Sequence, residues 1–207
     1  MTKEFDLDLA YKISGTEDAK RVYSDWAESY EESLVHEMGY VAPRKIAEIY
    51  LENSLDSSPV LDIGAGTGLL GQHLEDLTVD GIDITPAMLD IAREKCIYRE
   101  LIIGDLKAKL AIDDEMYGGI VSCGTFTHGH VGPECFPELL RITKPGSLFC
   151  CGTIYPVFDG LGFGSTLANL VSRGKISPVN FLEIDIYEKD DHGHAEDKGI
   201  VMIFRKL

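Results

Sequence analysis

Three glycines at alternate positions, Gly64, Gly66 and Gly68, follow a short apolar run that carries one carboxylate. The stretch reads Val60-Leu61-Asp62-Ile63-Gly64-Ala65-Gly66-Thr67-Gly68-Leu69-Leu70. Glycine has no Cβ, so a turn built from it accepts unusual dihedrals and lets a ligand lie against bare backbone. The spacing is G-x-G-x-G, not the G-x-G-x-x-G of dinucleotide-binding turns. A pyrophosphate gains nothing from Asp62 at the mouth of the turn, whereas a ligand bearing an ammonium or sulfonium group does. Asp83 stands about 20 residues beyond Gly64, the separation at which nucleotide folds place an acid on ribose hydroxyls. It could equally cap the helix that follows. His128 and His130 are the histidines near a predicted strand end. Either could take a proton from a reacting group, since imidazole titrates near neutral pH, or sit in its loop without a catalytic role. Neither has a third ligand at supporting spacing, so no metal site is expected. Tyr23, Trp26, Tyr30 and Leu34 recur at helical spacing and form one aromatic-apolar face.

The elements that must position these residues alternate. Val60-Leu61-Asp62-Ile63 is a strand, and an apolar pattern from Gly68 to about Leu77 predicts a helix. A second strand covers Val79 to Asp83, and Thr85-Pro86 is an N-cap with proline at the first helical position. Leu101-Ile102-Ile103 is a third strand ending at Gly104-Asp105, Gly119 to Cys123 a fourth, and Ser147 to Gly152 a fifth. Cys150 and Cys151, neighbours on that last strand, must point to opposite faces as small core residues. This alternation predicts an α/β fold, a doubly wound Rossmann-like sheet, mostly parallel, with helices on both faces. Ligands of such sheets sit outside the carboxyl ends of the strands. Two further strands, Asn180 to Tyr187 and Ile200 to Lys206, joined by an acidic loop, would add an antiparallel strand near the C-terminal edge. The first fifty-odd residues read as helical. One domain over 1–207 is expected, with a helical N-terminal lid region at 1–55 and a core plus hairpin at 56–207.

The segment Leu61-Asp62-Ile63-Gly64-Ala65-Gly66-Thr67-Gly68 resembles the glycine motif of class I S-adenosylmethionine-dependent methyltransferases, and Gly81-Ile82-Asp83-Ile84-Thr85-Pro86-Ala87-Met88-Leu89 resembles their second segment. The resemblance implies a seven-stranded sheet and S-adenosyl-L-methionine as cofactor. It puts Asp83 on the ribose and Ile84 on the adenine face. Asp105 would accept from the adenine amino group, and the backbone of Leu106 would meet a ring nitrogen; a helix-capping role for Asp105 is the alternative. Gly64, Ala65, Gly66, Met88 and Cys123 are further candidates for cofactor contact, with Asp62 near the ammonium end. Tyr23-Ser24-Asp25-Trp26-Ala27-Glu28-Ser29-Tyr30 is similar to an N-terminal helix that closes over the cofactor in many small-molecule methyltransferases, so Tyr23 and Trp26 join the candidates. With Met38-Gly39-Tyr40 and Ala42-Pro43, the tighter similarity is to methyltransferases like the Williams–Beuren syndrome chromosome-region protein.

Composition narrows the partners. The 207 residues carry a formal net charge of −16. Such a surface repels phosphate backbones, and no Lys/Arg cluster offsets it, so neither nucleic acid nor an anionic membrane is expected as partner. No stretch approaches the roughly 20 apolar residues of a membrane span. The five cysteines form no C-x-x-C pair and no signal peptide is visible, which points to reduced thiols and a cytoplasmic protein. The expected function is transfer of a methyl group to a small-molecule acceptor, with His128 as candidate base. The alternatives are a nicotinamide-dependent oxidoreductase and a non-catalytic cofactor-binding partner protein. Tyr11 to Tyr40, Thr125 to Pro133 and the Gly- and aromatic-rich Tyr155 to Arg173 are the expected walls of the acceptor pocket. Its acceptor and oligomeric state are not legible.

Overall fold

A computed structural model describes residues 13, 15–55, 58–127 and 129–207. Seven strands form one sheet: β1 (Val60–Ile63), β2 (Val79–Asp83), β3 (Leu101–Ile103), β4 (Tyr117–Phe126), β5 (Thr143–Ile154), β6 (Asn180–Asp185) and β7 (Lys198–Arg205). Their order is β3-β2-β1-β4-β5-β7-β6. β1 pairs parallel with both β2 and β4, and β7 runs antiparallel between β5 and β6. This is the expected mostly parallel sheet with one antiparallel strand near its C-terminal edge. All four residues of β1 are buried, as a strand covered on both faces requires.

Alternation along the strands sorts side chains into two cores. Leu61, Ile63, Ile120, Phe149 and Cys151 pack on one face with Phe136 and Phe163, beneath α4 (Phe136–Ile142), α5 (Tyr155–Gly160) and α6 (Phe163–Ser172). Val60, Val121 and Cys150 pack on the other with Ile46 and Tyr50 of α2 (Ala42–Asn53). Cys150 and Cys151 therefore do fill opposite cores. α3 (Pro86–Glu94) buries Met88, Leu89 and Ala92. Burying one such Leu or Phe side chain contributes about 1.5–3 kcal/mol, so this alternation is what fixes the strand register and, with it, the strand ends.

Three local expectations change. The segment after Gly68 forms only a 3-10 turn, Gly71–His73, rather than a helix to Leu77. Glycines at 68 and 71 weaken a helix there, and a Cβ at Gly71 would lie 2.4 Å from the Tyr98 hydroxyl, so Tyr98 holds the place of a helical side chain. The N-terminal aromatic face is split: α1 (Thr16–Trp26) ends before Tyr30, and Leu34 lies in a separate π-helical turn, Glu32–Glu37. Tyr155 to Arg173, expected as a wall of the acceptor pocket, forms the two helices α5 and α6, anchored in the core by buried Val157, Phe163 and Leu167, and lines neither of the two main cavities at the strand ends.

Candidate active site

The glycine turn is fastened from three sides. Gly64 and Ala65 both donate their N–H to the Ile82 carbonyl, at 2.8 and 3.0 Å. Thr125 donates its hydroxyl to the Ile63 carbonyl at 2.7 Å. Asp83, at the end of β2, accepts from Gly66 N–H at 2.9 Å through Oδ2 and from Thr85 N–H at 2.8 Å through Oδ1. Gly64 and Gly66 have φ of 67° and 55°, in the left-handed region that suits glycine. Their surroundings differ. A Cβ on Gly64 would lie 2.0 Å from Thr125 Oγ1, whereas one on Gly66 would meet only the Gly64 carbonyl, at 3.9 Å. Gly64 is thus demanded by packing, and Gly66 presents an open backbone face.

Beside that face runs a crevice of about 760 Å³, at the carboxyl ends of the central strands. Of the residues singled out in the sequence, Tyr23, Gly64, Gly66, Asp83, Ile84, Met88, Asp105, Leu106 and Cys123 all line it. Ile84, Met88 and Leu106 supply apolar wall. Asp105 accepts from Lys107 N–H at 2.9 Å, an Asx-type turn that shapes the loop after β3. Asp62 and Ala65 line a smaller adjoining pocket under the turn.

Asp62 is 1% exposed and accepts a hydrogen bond of 2.7 Å from the Tyr98 hydroxyl. Burial pushes its carboxyl up to about 7; the Tyr98 bond opposes this, and the charge of Asp83 adds to it. Asp83 is likewise raised by burial, against the pull of its backbone hydrogen bonds. Among the described residues, neither carboxyl has an ion-pair partner. Two mutually repelling acids at one turn, one buried and one half-buried, favour a cation. The Cys123 thiol lies 3.0 Å from the Tyr40 hydroxyl and is pushed up to about 12 by burial, so it stays protonated.

One candidate falls elsewhere. Trp26 does not line the crevice. Its ring is 1% exposed, packs with Ile13, Ala19 and Val22, and meets Tyr23 edge-on at 5.9 Å. It supports Tyr23 from behind rather than reaching a ligand. His128 lies outside the described residues. His130 does line the crevice, with Nδ1 3.0 Å from Thr127 Oγ1 and its ring 5.4 Å from that of Tyr23. Thr125 and Tyr98 carried no sequence signal, because their partners Ile63 and Asp62 are 62 and 36 residues away. In the acidic loop between β6 and β7, half-buried His192 packs edge-on to Tyr187 at 4.9 Å, with Nε2 3.1 Å from the Met38 carbonyl.

The fold and this crevice define the class. Residues 60–146 match the family described as "Methyltransferase domain". Over 168 residues the chain is 25% identical to N-demethylindolmycin N-methyltransferase of Streptomyces griseus, covering 72% of this chain and 69% of that protein. A 49-residue stretch is 51% identical to bovine 18S rRNA (guanine-N(7))-methyltransferase, but it spans 23% of this chain and 17% of that protein. A solved S-adenosylmethionine-dependent methyltransferase of Thermotoga maritima superposes with a TM-score of 0.65 at 17% identity, over 91% of this chain and 99% of that one. The chain has the fold of class I methyltransferases and carries a methyltransferase domain over residues 60–146, as S-adenosylmethionine-dependent methyltransferases do.

The residues present fit that cofactor. Gly66 leaves the backbone approachable, the carboxyls of Asp62 and Asp83 suit its ammonium and ribose, and Ile84, Met88 and Leu106 suit a purine. When bound, the cofactor supplies a methyl group on an electrophilic sulfonium.

Proposed function

We propose that the chain methylates a small-molecule acceptor, within the methyltransferases similar to the Williams–Beuren syndrome chromosome-region protein. The observation that carries the reading is the pair at the glycine turn, Asp62 buried and Asp83 half-buried, with no cation beside either among the described residues. Asp62 takes the ammonium end through the charge it regains when a cation arrives. Asp83 holds the turn with one lone pair on each oxygen and offers the remaining ones to ribose hydroxyls. Asp105 and Leu106 meet the adenine edge, and Ile84 and Met88 its faces.

The chain's part in the reaction is to bind, orient and exclude water. Holding two reactants in line contributes roughly 7–11 kcal/mol, and a sulfonium methyl needs no further activation by a nucleophilic side chain. Protonated Cys123 serves as wall. His128 is the proposed base where an acceptor must lose a proton. Tyr23, supported by Trp26, covers the crevice, and residues 1–207 act as one domain with 1–55 as its cover.

The charge of −16 supports an acceptor other than nucleic acid, and the five free cysteines support a reducing, cytoplasmic setting. Among the described residues, no helix is long and apolar enough to cross a membrane. Calorimetric titration with S-adenosylhomocysteine and, separately, with a nicotinamide dinucleotide tests the reading. Heat with the first alone is expected; heat with the second alone would replace it by the oxidoreductase alternative. A product search by mass spectrometry over neutral and charged small molecules then separates turnover from a cofactor-binding partner role.

A further inference from the structure

A second cavity, of about 750 Å³, adjoins the cofactor crevice. The two share Tyr23, Tyr30, Cys123 and Gly124, so a molecule in one touches the same walls as a molecule in the other. Its far side is built from Ile154 at the end of β5, Ile184 and Ile186 near the end of β6, and Tyr187. The chemistry of this lining is one-sided. Among the described residues it contains no Asp, Glu, Lys, Arg or His, whereas the crevice has Asp83, Asp105, Lys107 and His130. Three of the hydroxyls in the lining are engaged with the protein. Thr153 donates to the Phe126 carbonyl at 2.9 Å, Thr127 to the Gly124 carbonyl at 3.1 Å, and Tyr40 sits 3.0 Å from Cys123 Sγ.

We infer that this cavity holds the methyl acceptor and selects an uncharged, largely apolar molecule. The inference rests on the methyl-transfer reading above and names the substrate class of that same site. Small-ligand pockets are mostly apolar with few polar groups, as this lining is. A carboxylate or ammonium moved there would lose its hydration and find no opposite charge in return among the described residues, a costly exchange. The far wall comes from residues beyond the matched domain at 60–146. Selection is thus exercised by the C-terminal hairpin rather than by the cofactor half.

The test uses the full chain saturated with S-adenosylhomocysteine and three probes of one shape: 2-naphthalenemethanol, 2-naphthoate and 2-naphthylmethylammonium. Dissociation constants come from calorimetry. The alcohol is expected to bind at least about tenfold more tightly than either ion. Ile184→Lys should weaken the alcohol by about tenfold or more and narrow its lead over 2-naphthoate, with S-adenosylhomocysteine affinity unchanged. Should the lysine variant fail to fold, Ile184→Phe replaces it and should weaken the naphthyl alcohol more than benzyl alcohol. Equal binding of the ions, no binding of any probe to cofactor-loaded protein, or alcohol binding indifferent to both variants would overturn the inference while leaving methyl transfer standing. Failure to bind S-adenosylhomocysteine itself would remove the reading beneath it.

Discussion

The Asp83 carboxylate accepts the Gly66 N–H at 2.9 Å, so the end of β2 holds the turn that follows β1. One side chain therefore sets the shape of the glycine bend and faces the crevice beside it. Asp83→Ala removes both. A lost hydrogen bond to a charged, half-buried acceptor costs about 1.5–3 kcal/mol, which should appear as a lower denaturation midpoint. Affinity for S-adenosylhomocysteine should fall further, by about a hundredfold, as two functions go at once. A variant with unchanged calorimetric affinity would place the ribose elsewhere.

Gly64 and Gly66 should separate under substitution. Gly64→Ala drives a Cβ into Thr125 Oγ1 at 2.0 Å and should destabilise by about 3 kcal/mol or more. Gly66→Ala has open space around it and should cost only about 1 kcal/mol of stability, yet weaken the cofactor strongly. Thermal melts paired with cofactor titrations check the contrast. Adding Thr125→Ala to Gly64→Ala should recover part of the loss.

Asp62 gives a pH signature. Its folded-state carboxyl is raised from 3.8 to about 7, chiefly by burial. The folded protein therefore binds a proton that the unfolded chain releases near the ordinary carboxylate value. The resulting stability is fully present below about pH 4 and is lost as pH rises through about 7. Asp62→Asn keeps an acceptor for Tyr98 and removes the titration. Its stability relative to the parent should climb between about pH 4 and pH 7, by at most about 4 kcal/mol. A cation bound at the site favours the charged form, so parent affinity for S-adenosylhomocysteine should rise over the upper part of that window and stay flat in the variant. Urea titrations and calorimetry at stepped pH measure both.

Trp26 acts on the crevice only through Tyr23. Trp26→Ala empties a buried site and should cost about 3–5 kcal/mol within the N-terminal cluster. Hydrogen exchange should quicken over residues 15–27 with little change in β1 and β4, and cofactor affinity should drop several-fold. Unchanged affinity alongside the faster exchange would mean that the N-terminal helix plays no part in covering the ligand.

The chain order of residue types was enough to specify the sheet and most of the crevice, because both depend on local signals. Short apolar runs with turns between them are buried strands, and the residues at their carboxyl ends (Gly64, Gly66, Asp83, Asp105, Cys123) meet wherever parallel strands lie side by side. Other features were settled by contacts between distant parts of the chain. Tyr98 pairs with Asp62 and fills the space beside Gly71, Thr125 clamps the glycine turn, and α1 ends so that Trp26 turns inward while Tyr30 faces both cavities. The hairpin residues Ile184 and Ile186 wall the second cavity only because β7 inserts between β5 and β6. Periodicity reports which face of an element is apolar, but not which distant element covers it; packing at close-packed density makes that choice.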